Sequence, residues 1–402
     1  MKQTRSFEVS VSFELDQKIE KQVLYAAAFI CRGIVSVDYG CGNVRFLSNQ
    51  PISSSVAKAG LERLVERFSK AQGFETDIFF QNEKTGKGRG KIEIDDLISE
   101  GIIHETHQGI FLWREPLSLF FLFLDDALVR RFAMPFDASE EKFPNVISTK
   151  ELIKTNHLSS FPEHLNFVNN IQPELDKLDT FGLNAKAGDC LDFINAQIMD
   201  TPQLIHNPST CYHCYASRAG QKVYKNTVIT ALASCHRYEG ANHKQLGRLM
   251  EFSLREVIFL GEPDFVRETR SKCLNLIQAF ARDWEIGGVL QSENDPFFTS
   301  DFEIMAEHQR KMKMKYEYRA HISDDDDGLA VLSSNLHGLT FSKTFNISGD
   351  DWPVHTGCLG FGLERLLIAL VAQHGVNPIS WPEKLKAEWD TWCDARRIKK
   401  NN

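Results

Sequence analysis

The chain has 402 residues, 42% of them hydrophobic and 25% charged, with a formal net charge of −8. That length allows two domains, or one large domain with an appendage, and the composition is that of an ordinary globular protein. There is no global basic field to hold nucleic acid, although a local basic patch remains open.

The N-terminus, "MKQTRSFEVSVSFELDQ", lacks the apolar core of a signal peptide. The longest apolar run, Leu117 to Leu124, falls far short of the ~20 residues that a membrane span needs. A cytoplasmic protein with no membrane partner is therefore expected. Nine cysteines without regular spacing argue against a disulfide framework and for free or metal-bound thiols. The 29 phenylalanines point to large core packing.

Taken in chain order, "SFEVSVSFEL" alternates as a strand does, and "DQKIEKQVLYAAAFICRG" has helical spacing that stops at Gly33. "IVSVDYGCGNVRFLS" reads as strand, glycine turn and strand; "SSSVAKAGLERLVERFSKAQG" opens on serine caps and carries an apolar stripe to Gly73. Together they predict a small α/β domain over residues 1–81. Residues 82–95, containing "NEKTGKGRGK", form a Gly/Lys-rich linker, either a solvated connection or a basic loop touching a phosphate.

Residues 96–402 read as one large domain. Helices are expected around Leu117–Phe132, Gln245–Leu249 and Leu363–His374, and strands in "KYEYRAHI" and "GLAVLSSNLHGLTFSKTFNI". This pattern favours an α+β fold, an antiparallel sheet flanked by helices, over regular βαβ alternation. The acidic run Asp324–Asp327 before Gly328 suggests a hairpin turn; it lacks the spaced ligands of an EF-hand.

Three constellations carry chemistry. "STCYHCYAS" places Cys211 and Cys214 in a C-x-x-C with no second pair, which excludes a zinc ribbon. What remains is buried apolar cysteine, or an open zinc site assembled from one of these two, Glu256 and Cys358. "SCHRYEGANHKQLGRLMEFSLREVIFLG" holds Arg237 and Glu239 two apart, then Arg248, Phe252 and Glu256 at intervals of four. Such a hairpin could hold a nucleotide, with guanidinium on phosphate, carboxylate on the base amine and ring on the base. It could equally be a solvated salt-bridge ladder with Phe252 in the core. "HTGCLGFGLERLLIALVAQHG" sets Cys358 before Gly360-x-Gly362, with Arg365 in the first turn of a helix. Glycines there let a backbone approach a phosphate or simply let helix pack on sheet.

These pieces together resemble class II aminoacyl-tRNA synthetases. "CHRYEG…RLMEFSLRE" resembles their motif 2, "GFGLER" their motif 3, and "EKFPNVISTKEL", with Pro144, the motif 1 region of the dimer interface. Within the class the chain is most similar to the zinc-dependent atypical seryl branch and its truncated relatives, the amino acid:[carrier protein] ligases. "SFPEHL", "TCYHCY" and "SSNLHGLTF" carry that likeness, which spans about residues 96 to 390.

The resemblance implies a class II sheet, a homodimer, ATP and Mg²⁺, and a zinc ion held by Cys211, Glu256 and Cys358. Cys211 rather than Cys214 matches the family's cysteine-x-x-x-tyrosine, ending here at Tyr215. Glu256, Cys358 and Asn335 would bind the amino acid. Arg237, Glu239, Arg248, Phe252, Ser333 and Arg365 would bind ATP, with Arg237 and Arg365 acting on its phosphates. The implied reaction is adenylation of glycine, alanine or serine, followed by transfer to the phosphopantetheine thiol of a carrier protein. The alternatives are a seryl-type tRNA synthetase and a non-catalytic paralogue.

Seryl-type enzymes keep a magnesium-holding glutamate three residues before the serine of the strand ahead of motif 3. Here that position is Ala330, with Ser333 and Asn335 retained. This departure fits the carrier-protein relatives better than tRNA charging. The N-terminal domain fits neither group in size, and its charges form no basic stripe, so tRNA is not expected as a partner.

Overall fold

The computed structural model describes residues 5–10, 17–40, 43–69, 76–83, 94–188, 194, 198–244, 247–293, 313–322 and 328–396. Residues 84–93 of the expected linker and the acidic run Asp324–Asp327 lie outside them.

The N-terminal unit forms as its patterning requires. β1 (Arg5–Ser10), α1 (Gln17–Ala27), β2 (Ile34–Gly40), β3 (Asn43–Ser48) and α2 (Ser54–Ser69) make a sheet in the order β1-β3-β2 with two helices. The apolar stripes of the helices meet the buried side of the sheet, where Val9, Val23, Ala27, Phe46, Leu61 and Phe68 form a separate core. The unit ends earlier than the expected boundary at residue 81. β4 (Ile78–Asn82) pairs with a strand of the large unit, from Gly288↔Asn82 to Gln291↔Ile78, and is an edge of its sheet.

The large unit opens with a short helix, Ile94–Ser99, and a hairpin, β5 (Ile103–His107) and β6 (Ile110–Trp113). β7 (Ser139–Glu140) follows, then β8 (Val146–Ser148), β9 (Phe167–Val168) and β10 (Leu204–His206), which form a small sheet in the order β8-β10-β9. The main strands are β11 (Thr227–His236), β12 (Glu251–Gly261), β13 (Gly288–Ser292), β14 (Lys315–Ala320), β15 (Leu329–Gly338) and β16 (His355–Gly362). The eight-stranded order is β4-β13-β14-β15-β16-β12-β11-β7. All neighbours are antiparallel except β7 and β11, which pair in parallel. The expected antiparallel sheet is thus mixed at one edge, where a long excursion through the small sheet separates β7 from its partner.

Helices Leu117–Leu128, Pro263–Asp283, Leu363–His374 and Glu383–Arg396 contribute to the main core. β14 shows how the sheet divides its residues: Tyr316, Tyr318 and Ala320 are buried, while Lys315, Glu317 and Arg319 alternate with them and line a cavity on the other face. Aromatic rings fill the core, with Phe123 stacked on Trp284 at 5.6 Å and set edge-on to Trp389 at 5.3 Å.

Two expectations change. β15 ends at Gly338, whose φ of +56° breaks the strand, and "TFSKT" is a helix, Thr340–Thr344, rather than more strand. The described part of Gln245–Leu249 is not helical; the turn of helix sits just before it, over Gly240–Lys244. No helix among the described residues is long and apolar enough to cross a membrane. The seven cysteines among them are all free thiols.

Arg255 ties the layers together. Its guanidinium is buried and donates to both oxygens of Asp125 at 2.7 Å and to Glu140 at 3.1 Å, joining β12 to helix Leu117–Leu128 and to β7. Removing one member of such a pair leaves buried charge uncompensated. Arg255→Ala should therefore lose about 3 kcal/mol in denaturant unfolding, and a loss below about 0.5 kcal/mol would show that the pair contributes only locally.

Candidate active site

Strand periodicity builds the floor of the site. On β12, Phe252, Leu254 and Glu256 face one way, while Arg255, Val257 and Phe259 face the helices. Glu256 pairs with Gly360 and Ile258 with Cys358 on β16; Ser333 and Asn335 on β15 pair with the same Gly360 and Cys358. Glu256, Cys358, Ser333 and Asn335 therefore share one face. Gly360 contributes no side chain there: a methyl group on it would stand 3.5 Å from Glu256 Cγ and 3.8 Å from Ser333 Oγ, in the middle of the floor.

Cys211 reaches this face from the first residue of the short helix Cys211–Ala216. Its thiol, one Glu256 oxygen and the Cys358 thiol lie within 4.8 Å of one another, and all three residues are buried. Ser209 Oγ donates to Glu256 Oε1 at 3.2 Å and lies 3.6 Å from Cys211 Sγ. Asn335 Nδ2 points at Cys358 Sγ from 3.6 Å, and His337 Nε2 lies 3.7 Å from the same sulfur. Glu256 Oε2 is buried with no hydrogen-bond partner among the described residues.

The electrostatics follow from this crowding. The hydrogen bond to Cys358, then burial and the Glu256 charge, raise Cys211 well above an ordinary thiol. In Cys358 the hydrogen bond to Cys211 pulls down, but burial and Glu256 outweigh it and the group is raised. Burial raises Glu256 as well. Three acidic groups held together in low dielectric are mutually unfavourable when ionised. A divalent cation would reverse that, and an orphaned carboxylate oxygen beside two thiols fits one.

The other end of the cavity is cationic. Arg237, one residue beyond β11, extends the hairpin ladder through its N–H to Met250 O, and its guanidinium donates to Pro208 O at 3.1 Å from both Nε and Nη2. It lies 5.2 Å from the Phe252 ring centroid. Glu239 is buried and accepts from Arg248 Nη1 at 3.0 Å. Burial would push its carboxyl up, but Arg248, His164, Arg365 and a Tyr25 hydrogen bond together bring it down to about 2. Arg365 donates to Gly247 O at 2.7 Å and to Ala330 O at 3.3 Å. Burial and then the neighbouring Arg248 lower it to about 10. Ala330 thus meets Arg365 through its backbone carbonyl and brings no side-chain carboxylate to the cavity.

The expected metal, ATP and amino-acid residues (Cys211, Arg237, Glu239, Arg248, Phe252, Glu256, Ser333, Asn335, Cys358 and Arg365) all line one cavity of about 1260 Å³. Cys214 does not: it is buried one turn along the same helix, 3.5 Å from Arg218 Nη1. The sequence reading missed Ser209, His337 and Tyr25. His337 was within reach, because it follows Asn335 by two on β15. It also missed Glu364, whose two oxygens accept from Ser253 N at 2.8 and 2.9 Å, holding the start of helix Leu363–His374 to β12.

No family model matches the chain. It is similar to an amino acid–[acyl-carrier-protein] ligase of Bradyrhizobium diazoefficiens, 29% identical over 272 residues that make up 65% of this chain and 82% of the relative. It is also similar to the type-2 serine–tRNA ligase of Methanocaldococcus jannaschii, 27% identical over 69% of this chain and 55% of the relative. Among solved structures, M. kandleri SerRS in complex with A. aeolicus tRNASec shares the fold with a TM-score of 0.68 and 18% identity, over 97% of this chain and 78% of that one. The resemblance drawn from motifs 2 and 3 is borne out: the chain is a relative of these ligases and has the class II synthetase fold.

Burial raises the Glu364 carboxyl to about 7. Between its ordinary 4.5 and that value the folded chain holds a proton that the unfolded chain releases, so stability is highest below this range and falls as pH rises through it. Glu364→Gln should flatten this fall when urea unfolding is measured from pH 4.5 to 7, leaving the share from Glu163, which burial also raises to about 7. An unchanged slope would contradict the assignment.

Proposed function

We propose that this protein activates a small amino acid, glycine, alanine or serine, with ATP and transfers it to the phosphopantetheine thiol of a carrier protein. The observation that carries the reading is the single cavity joining the Cys211–Glu256–Cys358 cluster to Arg237, Glu239 and Arg365. One end suits an amine and the other a triphosphate, as adenylation of an amino acid requires.

Two thiolates and a carboxylate are the donor set of a zinc site with an open fourth position, and zinc bound there would take the neutral amino group of the substrate. Asn335 and the small space over Gly360 would limit the side chain. Arg237 would hold the substrate carboxylate against the α-phosphate, and Arg365 would receive the γ-phosphate. Glu239 would accept from the adenine amine, and Phe252 would stack on the base. Ser333 and Arg248 would complete the nucleotide contacts.

The carboxylate oxygen attacks the α-phosphorus as the bond to the bridging oxygen breaks, and pyrophosphate leaves. The carrier thiol then loses its proton and attacks the acyl carbon, and AMP departs. Positioning and charge stabilisation by the three arginines supply the effect. Ala330 offers no carboxylate, so Mg²⁺ would ride on the ATP phosphates and its own waters. Free thiols suit the cytoplasm, and the motif 1 region around Pro144 would form a homodimer interface.

A second reading, charging of tRNA with serine, draws on the similarity to a type-2 serine–tRNA ligase. Ala330 speaks against it. ATP–pyrophosphate exchange across the twenty amino acids, on protein carrying about one zinc per chain, tests adenylation. Exchange with one small amino acid is expected. Cys358→Ala should lose the metal and at least about 100-fold of the exchange, and Arg237→Ala a similar factor. Intact-mass detection of a carrier-protein thioester would separate the two acceptors. Folded, zinc-loaded protein with no exchange would leave the non-catalytic reading, and charged tRNA without thioester would establish the second.

A further inference from the structure

α1 of the N-terminal unit does not stand apart from the cavity. Gln22 and Tyr25, one turn apart on that helix, both line it. The Tyr25 ring lies under the Arg248 guanidinium, 4.6 Å from carbon to centroid. Its hydroxyl stands 3.4 Å from His164 Nε2 and is close enough to the Glu239 carboxylate to help hold it ionised. Its carbonyl accepts from Asn242 Nδ2 at 3.1 Å, in the turn that follows Glu239. One turn on, Phe29 packs on Gly240, where a methyl group would come within 3.0 Å of the ring and where φ is +57°. Gln22 Oε1 is buried at the cavity with no hydrogen-bond partner among the described residues.

Glu239 and Arg248 thus have partners on two units. Arg248 Nη1 reaches Glu239 Oε2 from the hairpin side, and Tyr25 meets the pair from α1 with its ring face on Arg248 and its hydroxyl on the side of Glu239. A buried carboxylate that must accept from an incoming base amine needs its remaining lone pairs fixed, or its rotamer is lost. From the hairpin, Arg248 Nη1 fixes Oε2.

We propose that the N-terminal unit completes the adenine-recognition site: Tyr25 is a positioning residue that fixes Glu239 and Arg248, and Gln22 offers a free polar edge to the nucleotide. This rests on the adenylation reading above, since it takes Glu239 as the group that reads the base. The unit is then part of the first half-reaction itself, whatever acceptor serves the second.

The test uses the full-length, metal-loaded protein and three variants. Tyr25→Phe keeps the ring and removes the hydroxyl, and Phe29→Leu loosens α1 from Gly240 should Tyr25→Phe fail to fold. Arg45→Ala breaks an exposed pair with Glu8 in the same unit and serves as the control. ATP binding is followed by titration calorimetry, and exchange by the KM for ATP and for the amino acid. Tyr25→Phe is expected to weaken ATP binding and raise its KM about tenfold, as for one lost polar contact to a buried charge. The KM for the amino acid and kcat should stay within about twofold and the preference for ATP over GTP should fall, because only base reading is disturbed. Phe29→Leu should move ATP binding the same way, and Arg45→Ala should not.

ATP binding within about twofold of the parent in both Tyr25→Phe and Phe29→Leu overturns the inference alone. Equal losses for ATP and the amino acid, with a lowered melting temperature, assign Tyr25 to folding and overturn it too. A parent that binds no ATP overturns the adenylation reading and this inference with it.

Discussion

The two-residue alternation along β12 and β16 is the constraint on which the chemistry depends. Glu256 and Cys358 reach the cavity because they share parity across an antiparallel register, while Val257, Phe259, Leu359 and Phe361 face the helices. A slip of one residue would drive a carboxylate into the main core and turn four large apolar side chains into the cavity. The register is held on the helix side. Gly357 sits against the Phe259 ring so closely that an added methyl group would lie 2.3 Å from Phe259 Cε2, and Arg255 is locked to Asp125. Core packing and site geometry are thus two faces of one pairing.

The charges are arranged with equal economy. The chain is acidic overall, yet Arg237, Arg248 and Arg365 converge on one cavity whose far end holds thiols and a carboxylate. The crowding is felt: Arg365 is lowered to about 10 by burial and by Arg248, with Arg237 adding to the effect. Such a site favours an anion at one end and a cation at the other. An amino acid bound beside ATP, with a cation under its amine, would satisfy both demands together. The net charge of −8 concealed this separation, because focusing depends on placement rather than totals.

Much of the fold was legible because it rests on local periodicity. Helix Leu363–His374 and strand β14 follow directly from their apolar spacing, and the spacing of four from Phe252 to Glu256, read on a strand, keeps one face. Short local signals misled elsewhere: "TFSKT" reads as strand by composition, yet follows a glycine that ends β15. Long-range pairing was beyond sequence. Nothing in "DIFF" announces that β4 joins a sheet whose next strand lies some 200 residues on, and nothing near Tyr25 announces Glu239. The choice of Cys211 came from family resemblance rather than spacing; the structure brings Cys211 to Glu256 and Cys358 and leaves Cys214 one turn away.

The proposed function requires that these three side chains hold a zinc ion whose remaining position takes the substrate amine. X-ray absorption at the zinc edge tests it most directly. Two sulfur scatterers at about 2.3 Å and light atoms near 2.0–2.2 Å are expected, with the light-atom shell altered when the activated amino acid is added. Four sulfurs, a shell indifferent to the amino acid, or no bound zinc would contradict it.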